Sequence, residues 1–198
     1  MVKIEHLPLD SIRVNSPYGM RDTTVEGTNY WWHNGVDFYA ALNTPVYAAA
    51  NGTVMAARNN EGGYGYYAAV DHGNYGSLYA HLSSLSVFEG SEIAAGELIG
   101  YSGNSGATTG PHLHFEIRIG AYNNFWDRAA CDSTVFMRTA DPMIFIEEYL
   151  ERQEELSVER ASEIVKSKAR LEDKTMDYMV NDYKFGTDLV IKLAKALM

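Results

Sequence analysis

The chain has 198 residues, enough for one well-buried domain and an appendage. Apolar residues make up 46% of it and charged residues 21%, a balance that predicts a folded core and excludes general disorder. The net charge of −10, with no run of Lys or Arg, excludes an affinity built on neutralising phosphates, so nucleic acid is not an expected partner.

Taken in chain order, the opening stretch MVKIEHLPLDSIRV has no uninterrupted apolar segment of the kind found in a secretory leader. No stretch approaches the ~18 apolar residues of a membrane span. Across residues 16–119, short runs with Val, Tyr, Ile and Phe alternate with NG, GG, HGN, EG and SG turns, the signature of consecutive antiparallel strands. Residues 44–49 and 53–58 read as a hairpin about Asn51-Gly52, a pair suited to a type I′ turn. Residues 66–71 and 77–81 read as a second hairpin about residues 72–76. From Phe145 onward the pattern turns helical, with Val158, Ala161, Ile164 and Val165 spaced three or four apart. Ser157 and Thr187 are candidate N-caps, giving two or three amphipathic helices. Residues 145–198 hold 9 basic and 12 acidic side chains, half of the chain's charges, so their outer faces are solvated. The expected organisation is a mainly β, antiparallel sheet or sandwich at 1–146 and an α-helical C-terminal extension at 147–198. The lone Cys131 can form no internal disulfide and reads as a packed or semi-exposed thiol.

The chemistry is concentrated in the six histidines. In GPHLHFEIRI, residues 110–119, strict alternation puts His112, His114, Glu116 and Arg118 on one strand face and Leu113, Phe115, Ile117 and Ile119 on the other, which faces the core. In HNGVD, residues 33–37, a turn at Asn34-Gly35 lets His33 and Asp37 converge. In SLYAHLS, residues 77–83, alternation puts Tyr79, His81 and Ser83 opposite Leu78, Ala80 and Leu82. Each piece alone has an ordinary structural reading: surface histidines, a turn residue beside a strand-edge carboxylate, a satisfied polar group. Together they match an open catalytic metal site, with three ligands, a free position and spare imidazoles nearby. His72 and His6 read as structural.

Over residues 16–119 the chain resembles the LytM/lysostaphin-type metallopeptidases, the M23 peptidase family. The resemblance lies in SPYGMR, HNGVD, TPVYAAANGTV, GGYG, VDHG, LYAHLS, EGSEIAAGELIGYSGNSG and TGPHLHFEIR, in that order, and continues loosely to ADPMIFI at residues 140–146. It implies a duplicated-hybrid-motif-like core, one Zn2+ per chain held by His33, Asp37 and His114, and His81 and His112 as catalytic histidines outside the ligand set. The implied activity is hydrolysis of peptide cross-links or stem peptides in bacterial peptidoglycan. No H-E-x-x-H is present, so histidine has to handle the proton that a helical Glu handles in zincins. A water activated by the metal and deprotonated with help from His112 or His81 would attack the scissile carbonyl, and protonated imidazole would stabilise the oxyanion. Which of the two is the general base stays open. Such an enzyme acts on the wall, reaching it through an export signal outside this sequence, by lysis, or on a phage particle as a lysin.

Several segments keep two readings. Glu116 is either a partner that orients an imidazole or a surface carboxylate. The small-residue loop at 102–110 is either a groove wall or a plain connector. Tyr30, Trp31 and Trp32 line the groove or, by preference, pack at the sheet edge. Residues 120–139, with Phe125, Trp126, Arg128 and Cys131, form a longer link than the family pattern and either extend the cleft or pack on the tail. The tail docks on the domain, mediates oligomerisation, or attaches the enzyme to a larger assembly. Two rival functions remain: a non-catalytic relative that binds wall or activates other hydrolases, and a carrier or phosphotransfer domain of similar β architecture. The first typically loses ligands, and all five residues are present here. The second needs a Lys at a hairpin tip and leaves Asp37 unexplained.

Overall fold

The computed structural model describes residues 1–21, 32–119, 138–169, 173–182 and 186–197. Tyr30, Trp31 and the segment 120–137, with Phe125, Trp126, Arg128 and Cys131, lie outside the described residues. Contacts divide the chain into two compact units, Met1–Ile146 and Glu147–Met198.

The first unit is built on strands β1 (Val14–Ser16), β2 (Gly19–Met20), β3 (Trp32–His33), β4 (Val36–Tyr39), β5 (Pro45–Tyr47), β6 (Gly52–Asn60), β7 (Gly65–Asp71), β8 (Tyr75–Leu85), β9 (Glu92–Ile93), β10 (Leu98–Ser102), β11 (His112–Ile119) and β12 (Thr139–Ala140). Ten of them form one sheet along the path β1-β4-β11-β8-β7-β6-β9, with β10 joined to β5 and β8, and β12 to β11; β2 and β3 form a separate pair. All these pairings are antiparallel. The architecture is the mainly β one expected from the alternating runs.

Strand β11 lies between β4 and β8, and its register sorts the side chains. Leu113 opposes Phe38 and Phe115 opposes both Val36 and Tyr79, so these side chains share one face. All are buried, and the Phe115 ring sits 5.2 Å from Tyr79 and 6.4 Å from Phe38. Each such side chain contributes roughly 1.5–3 kcal/mol on leaving water. On the other face His114 opposes Asp37 and Ala80, and Glu116 opposes Leu78. That face is buried too, down to Glu116 and Arg118, whereas Ile119 at the strand end is partly exposed and not in the core as expected.

Pairing departs from the expected hairpins in one case. Strands β7 and β8 do pair about a turn at residues 72–74, closed by His72 N–H to the Tyr75 carbonyl at 2.9 Å, with Gly73 at φ +90°. Strand β5 does not pair with β6; it pairs with β10, and β6 pairs with β7 and β9. The Asn51-Gly52 pair has no positive φ and makes no type I′ turn. Gly52 serves close approach instead: a Cβ there would lie 2.3 Å from the Asp71 carbonyl oxygen.

Helix α1 (Pro142–Ala169) begins three residues before the sequence pattern suggests. Asp141 caps it, its Oδ1 accepting the Met143 N–H at 2.9 Å, and Pro142 takes the first helical position, where its missing donor costs nothing. Ser157 is therefore inside a continuous helix and is no N-cap: helix formers flank it on both sides, with no Gly or Pro to break the chain first. Within the second unit, α1 is followed by α2 (Asp173–Asp177), a π turn at Tyr178–Asp182, and α3 (Gly186–Leu197), in which Thr187 is the second residue. Its core gathers Ala161, Val165, Met176, Val190 and Ala194, with i, i+4 pairs from α1 and α3. Among the described residues no helix is long and apolar enough to cross a membrane.

Candidate active site

The site lies on the polar face of β11 and β4. Because Asp37 and His114 are direct cross-strand partners, their side chains meet: Asp37 Oδ1 is 2.9 Å from His114 Nδ1. His33 enters from β3, two residues after which the chain turns tightly through Gly35. A Cβ on Gly35 would meet the Phe115 carbonyl oxygen at 2.3 Å, so only glycine lets this turn lie on β11. His33 Nε2 then stands 3.1 Å from Asp37 Oδ1 and 3.0 Å from His114 Nδ1. All three residues are buried.

The outer nitrogens define the tautomers. His33 Nδ1–H donates to the Pro17 carbonyl at 2.7 Å, and His114 Nε2–H donates to Glu116 Oε1 at 3.0 Å. Two imidazole lone pairs and a carboxylate oxygen are thereby aimed at one another across about 3 Å, which is unfavourable unless a cation stands among them. For zinc bound tetrahedrally at the usual nitrogen and oxygen distances the donors would be spaced ~3.3 Å apart, close to what is seen. The donor set fits such an ion. Without a metal a proton serves instead: burial disfavours it, but hydrogen bonds donated to Asp37 and Glu116, and the charges of these carboxylates, outweigh burial and raise His114 to about 9. Burial lowers His33, only partly offset by Asp37. Asp37 is held well below the usual carboxylate range, where its bonds to His114 and His33 overcome the opposing effect of burial. Arg21, an unanticipated member, pairs with its second oxygen at 3.2 Å.

His112 and His81 flank this cluster with ring centroids 4.8 Å apart. His112 turns Nδ1 to the Gly110 carbonyl at 2.8 Å and brings Nε2 to 3.6 Å from Asp37 Oδ1. His81 turns Nδ1 to the Ser105 carbonyl at 2.8 Å, leaving Nε2 as its lone-pair nitrogen. Burial first, then the neighbouring His114 and His112, press His81 down to about 3, so it is neutral near pH 7. The loop at 102–110 is thus more than a connector, since its carbonyls fix both rings.

His81 reaches the site by a route that strict alternation does not give. Tyr79 pairs with Phe115 and points to the core, and regular pleating would send His81 the same way. The β7–β8 register instead slips between Tyr66↔Leu82 and Ala68↔Tyr79, and His81 takes φ +59°. This bulge swings the imidazole onto the face of His114, a known use of bulges beside functional sites. The His81 N–H is tied to the Tyr64 carbonyl at 2.8 Å.

Behind His114, Glu116 is fully buried and is no surface carboxylate. It accepts from Tyr64 O–H at 2.6 Å and Arg118 Nε–H at 2.7 Å. Burial would raise it, but Arg118 and His114 hold it well below the usual range. Tyr64, Arg118, Ser105 and Arg21 carry no role in the sequence reading, although GGYG and SPYGMR contain two of them and alternation puts Arg118 on the right face. Trp32 packs edge-on against Tyr18 at 5.7 Å. His72, between Asn51 O and Ser77 Oγ, and His6, on Leu7 O, are tied into the fold.

The antiparallel sheet thus gathers two imidazoles and a carboxylate at one point that could hold a cation, with two further imidazoles alongside. Residues 32–125 match peptidase family M23. The chain belongs to that family. The catalytic domain of the antimicrobial peptidase lysostaphin from Staphylococcus simulans superposes with a TM-score of 0.60 at 30% identity, over 72% of this chain and 99% of that domain. DD-carboxypeptidase/endopeptidase Mpg of Neisseria meningitidis serogroup B is 43% identical over 113 residues, 57% of this chain and 26% of its own length. Peptidoglycan DD-endopeptidase ShyA of Vibrio cholerae is 38% identical over 117 residues, 58% of this chain and 27% of its length. The chain thus spans about a quarter of the length of these two relatives.

Proposed function

We propose that this chain is a zinc-dependent endopeptidase that hydrolyses peptide bonds in bacterial peptidoglycan, either cross-links or stem peptides. The observation that carries the proposal is the convergence of His33 Nε2, Asp37 Oδ1 and His114 Nδ1 within 3.1 Å of one another, with His81 and His112 beside them. The relative ShyA, a peptidoglycan DD-endopeptidase, supports the substrate class, and Mpg, a DD-carboxypeptidase/endopeptidase, supports peptide hydrolysis. A domain of 1–146 would be the catalytic part and 147–198 an appendage.

In this reading His33, Asp37 and His114 hold one zinc ion, which when bound supplies Lewis acidity toward the scissile carbonyl and acidifies a water. The proton work falls to His81 and His112. Each has its Nδ1–H committed to a backbone carbonyl, so each offers Nε2 as acceptor without reorienting. One takes the proton of the attacking water. Once protonated, an imidazole here stabilises the developing oxyanion and passes a proton to the leaving amine. The bulge at His81 and the loop carbonyls preset this geometry, so little ordering is left for the reaction itself.

Metal analysis of the purified chain tests the reading: about one zinc per chain is expected, and His114→Ala should lose zinc and wall-degrading activity together. A wild-type protein that degrades wall without metal would overturn it. A chain that binds zinc but cleaves no peptide would favour the non-catalytic wall-binding alternative.

A further inference from the structure

Behind the candidate ligand His114 lies a buried, hydrogen-bonded charged group. Glu116 and Arg118 are wholly buried, and Tyr64 is 3% exposed. Burying an ion pair in a sheet interior is seldom more stabilising than filling the same space with apolar side chains, which the adjoining cluster of Ala56, Tyr67, Ala69, Leu78 and Ala80 does. The network therefore calls for a role other than stability.

Its hydrogen bonds run in one direction. Arg118 Nη2–H donates to the Tyr64 hydroxyl oxygen at 3.0 Å, which commits the Tyr64 O–H to Glu116 Oε1. Arg118 Nε–H donates to Glu116 Oε2. Glu116, an ionised acceptor on both oxygens, has one remaining donor, His114 Nε2–H at 3.0 Å. That bond leaves Nδ1 as the only lone-pair nitrogen of His114, the one facing Asp37 and His33.

We infer that Glu116, clamped by Arg118 and Tyr64, is a positioning residue that fixes the tautomer and orientation of His114 and so tightens its hold on the metal. The inference rests on the metal reading above and extends it to three residues to which that reading gives no part. Carboxylates in this position typically change metal affinity by roughly 10- to 100-fold.

The test is zinc affinity, measured by competition with a chromophoric chelator, together with the tautomer of His114 read from imidazole 15N shifts in the zinc-loaded protein. The double variant Glu116→Gln with Arg118→Met removes the ion pair and the carboxylate charge behind His114 while keeping the net charge unchanged. It should bind zinc roughly 10- to 100-fold more weakly, with a broadened or altered His114 signature in the zinc-loaded protein. Wild-type affinity, or a His114 tautomer unchanged from the wild type, would overturn the inference. Should the double variant fail to fold, Tyr64→Phe decides: removing one charge-assisted hydrogen bond should weaken zinc by about fivefold, and unchanged affinity would overturn the proposal. A wild-type chain that binds no zinc would overturn the metal reading itself, an outcome distinct from a wild type that binds and variants that bind equally well.

Discussion

Zinc uptake at this site should expel one proton, and the protonation of the metal-free cluster says where and when. His114, raised to about 9, carries an extra proton throughout the neutral range, whereas His33 and Asp37 are lowered and present free donors there. The metal must therefore displace a single proton, from His114 Nδ1, at any pH between about 6.5 and 9. Below the His114 value the metal-free state binds one proton more than the loaded state, so apparent affinity rises with pH, tenfold per unit for one proton, and levels off above about 9. From pH 7 to 8 the dissociation constant should fall about tenfold. Isothermal calorimetry in buffers of different ionisation enthalpy counts the proton directly, and chelator competition across the same range gives the slope. An affinity flat between pH 7 and 8, with no proton released, would refute the reasoning, because it would mean that His114 is already neutral between Asp37 and Glu116.

His81→Ala should keep zinc, since His81 bonds to the Ser105 carbonyl and not to the donor cluster, yet lose roughly 10²–10⁴-fold in peptide hydrolysis. Full activity would remove His81 from the mechanism. Gly35→Ala would force a Cβ to 2.3 Å from the Phe115 carbonyl oxygen, so thermal unfolding should show a loss of at least about 2 kcal/mol and weakened metal binding as β4 is pushed from β11; unchanged stability would contradict the claim that this turn must lie against the strand.

What could be read from the sequence was what a regular pleat encodes. Residues 112–118 alternate without interruption, so the face carrying His112, His114, Glu116 and Arg118 was legible, and with it the meeting of polar groups on β11. The role of His81 rests on the family resemblance, because alternation does not bring it to the site. Alternation groups it with Tyr79, while the bulge separates them, and no composition signal announces a bulge whose positive φ falls on histidine. The Asn51-Gly52 pair misled because glycine answers two different needs, positive φ and close packing, and a sequence does not say which. For Tyr64 only the GGYG match was visible, and that match does not reveal its bond to Glu116, 52 residues away. Whether Glu116 was a surface carboxylate or an orienting partner depended on burial of the polar face, which involves groups distant in sequence such as Tyr64, bonded to Glu116, and is not announced by the alternation of β11 itself.

The central claim, a metal-dependent peptidase acting on cell wall, is tested most directly by digesting purified peptidoglycan with the zinc-loaded and the metal-stripped chain and identifying the released peptides by mass. The account predicts that the loaded chain releases peptides ending at one defined bond, that stripping abolishes this, and that zinc restores it. Equal release by the stripped chain, or no release by a chain carrying one zinc, would contradict it.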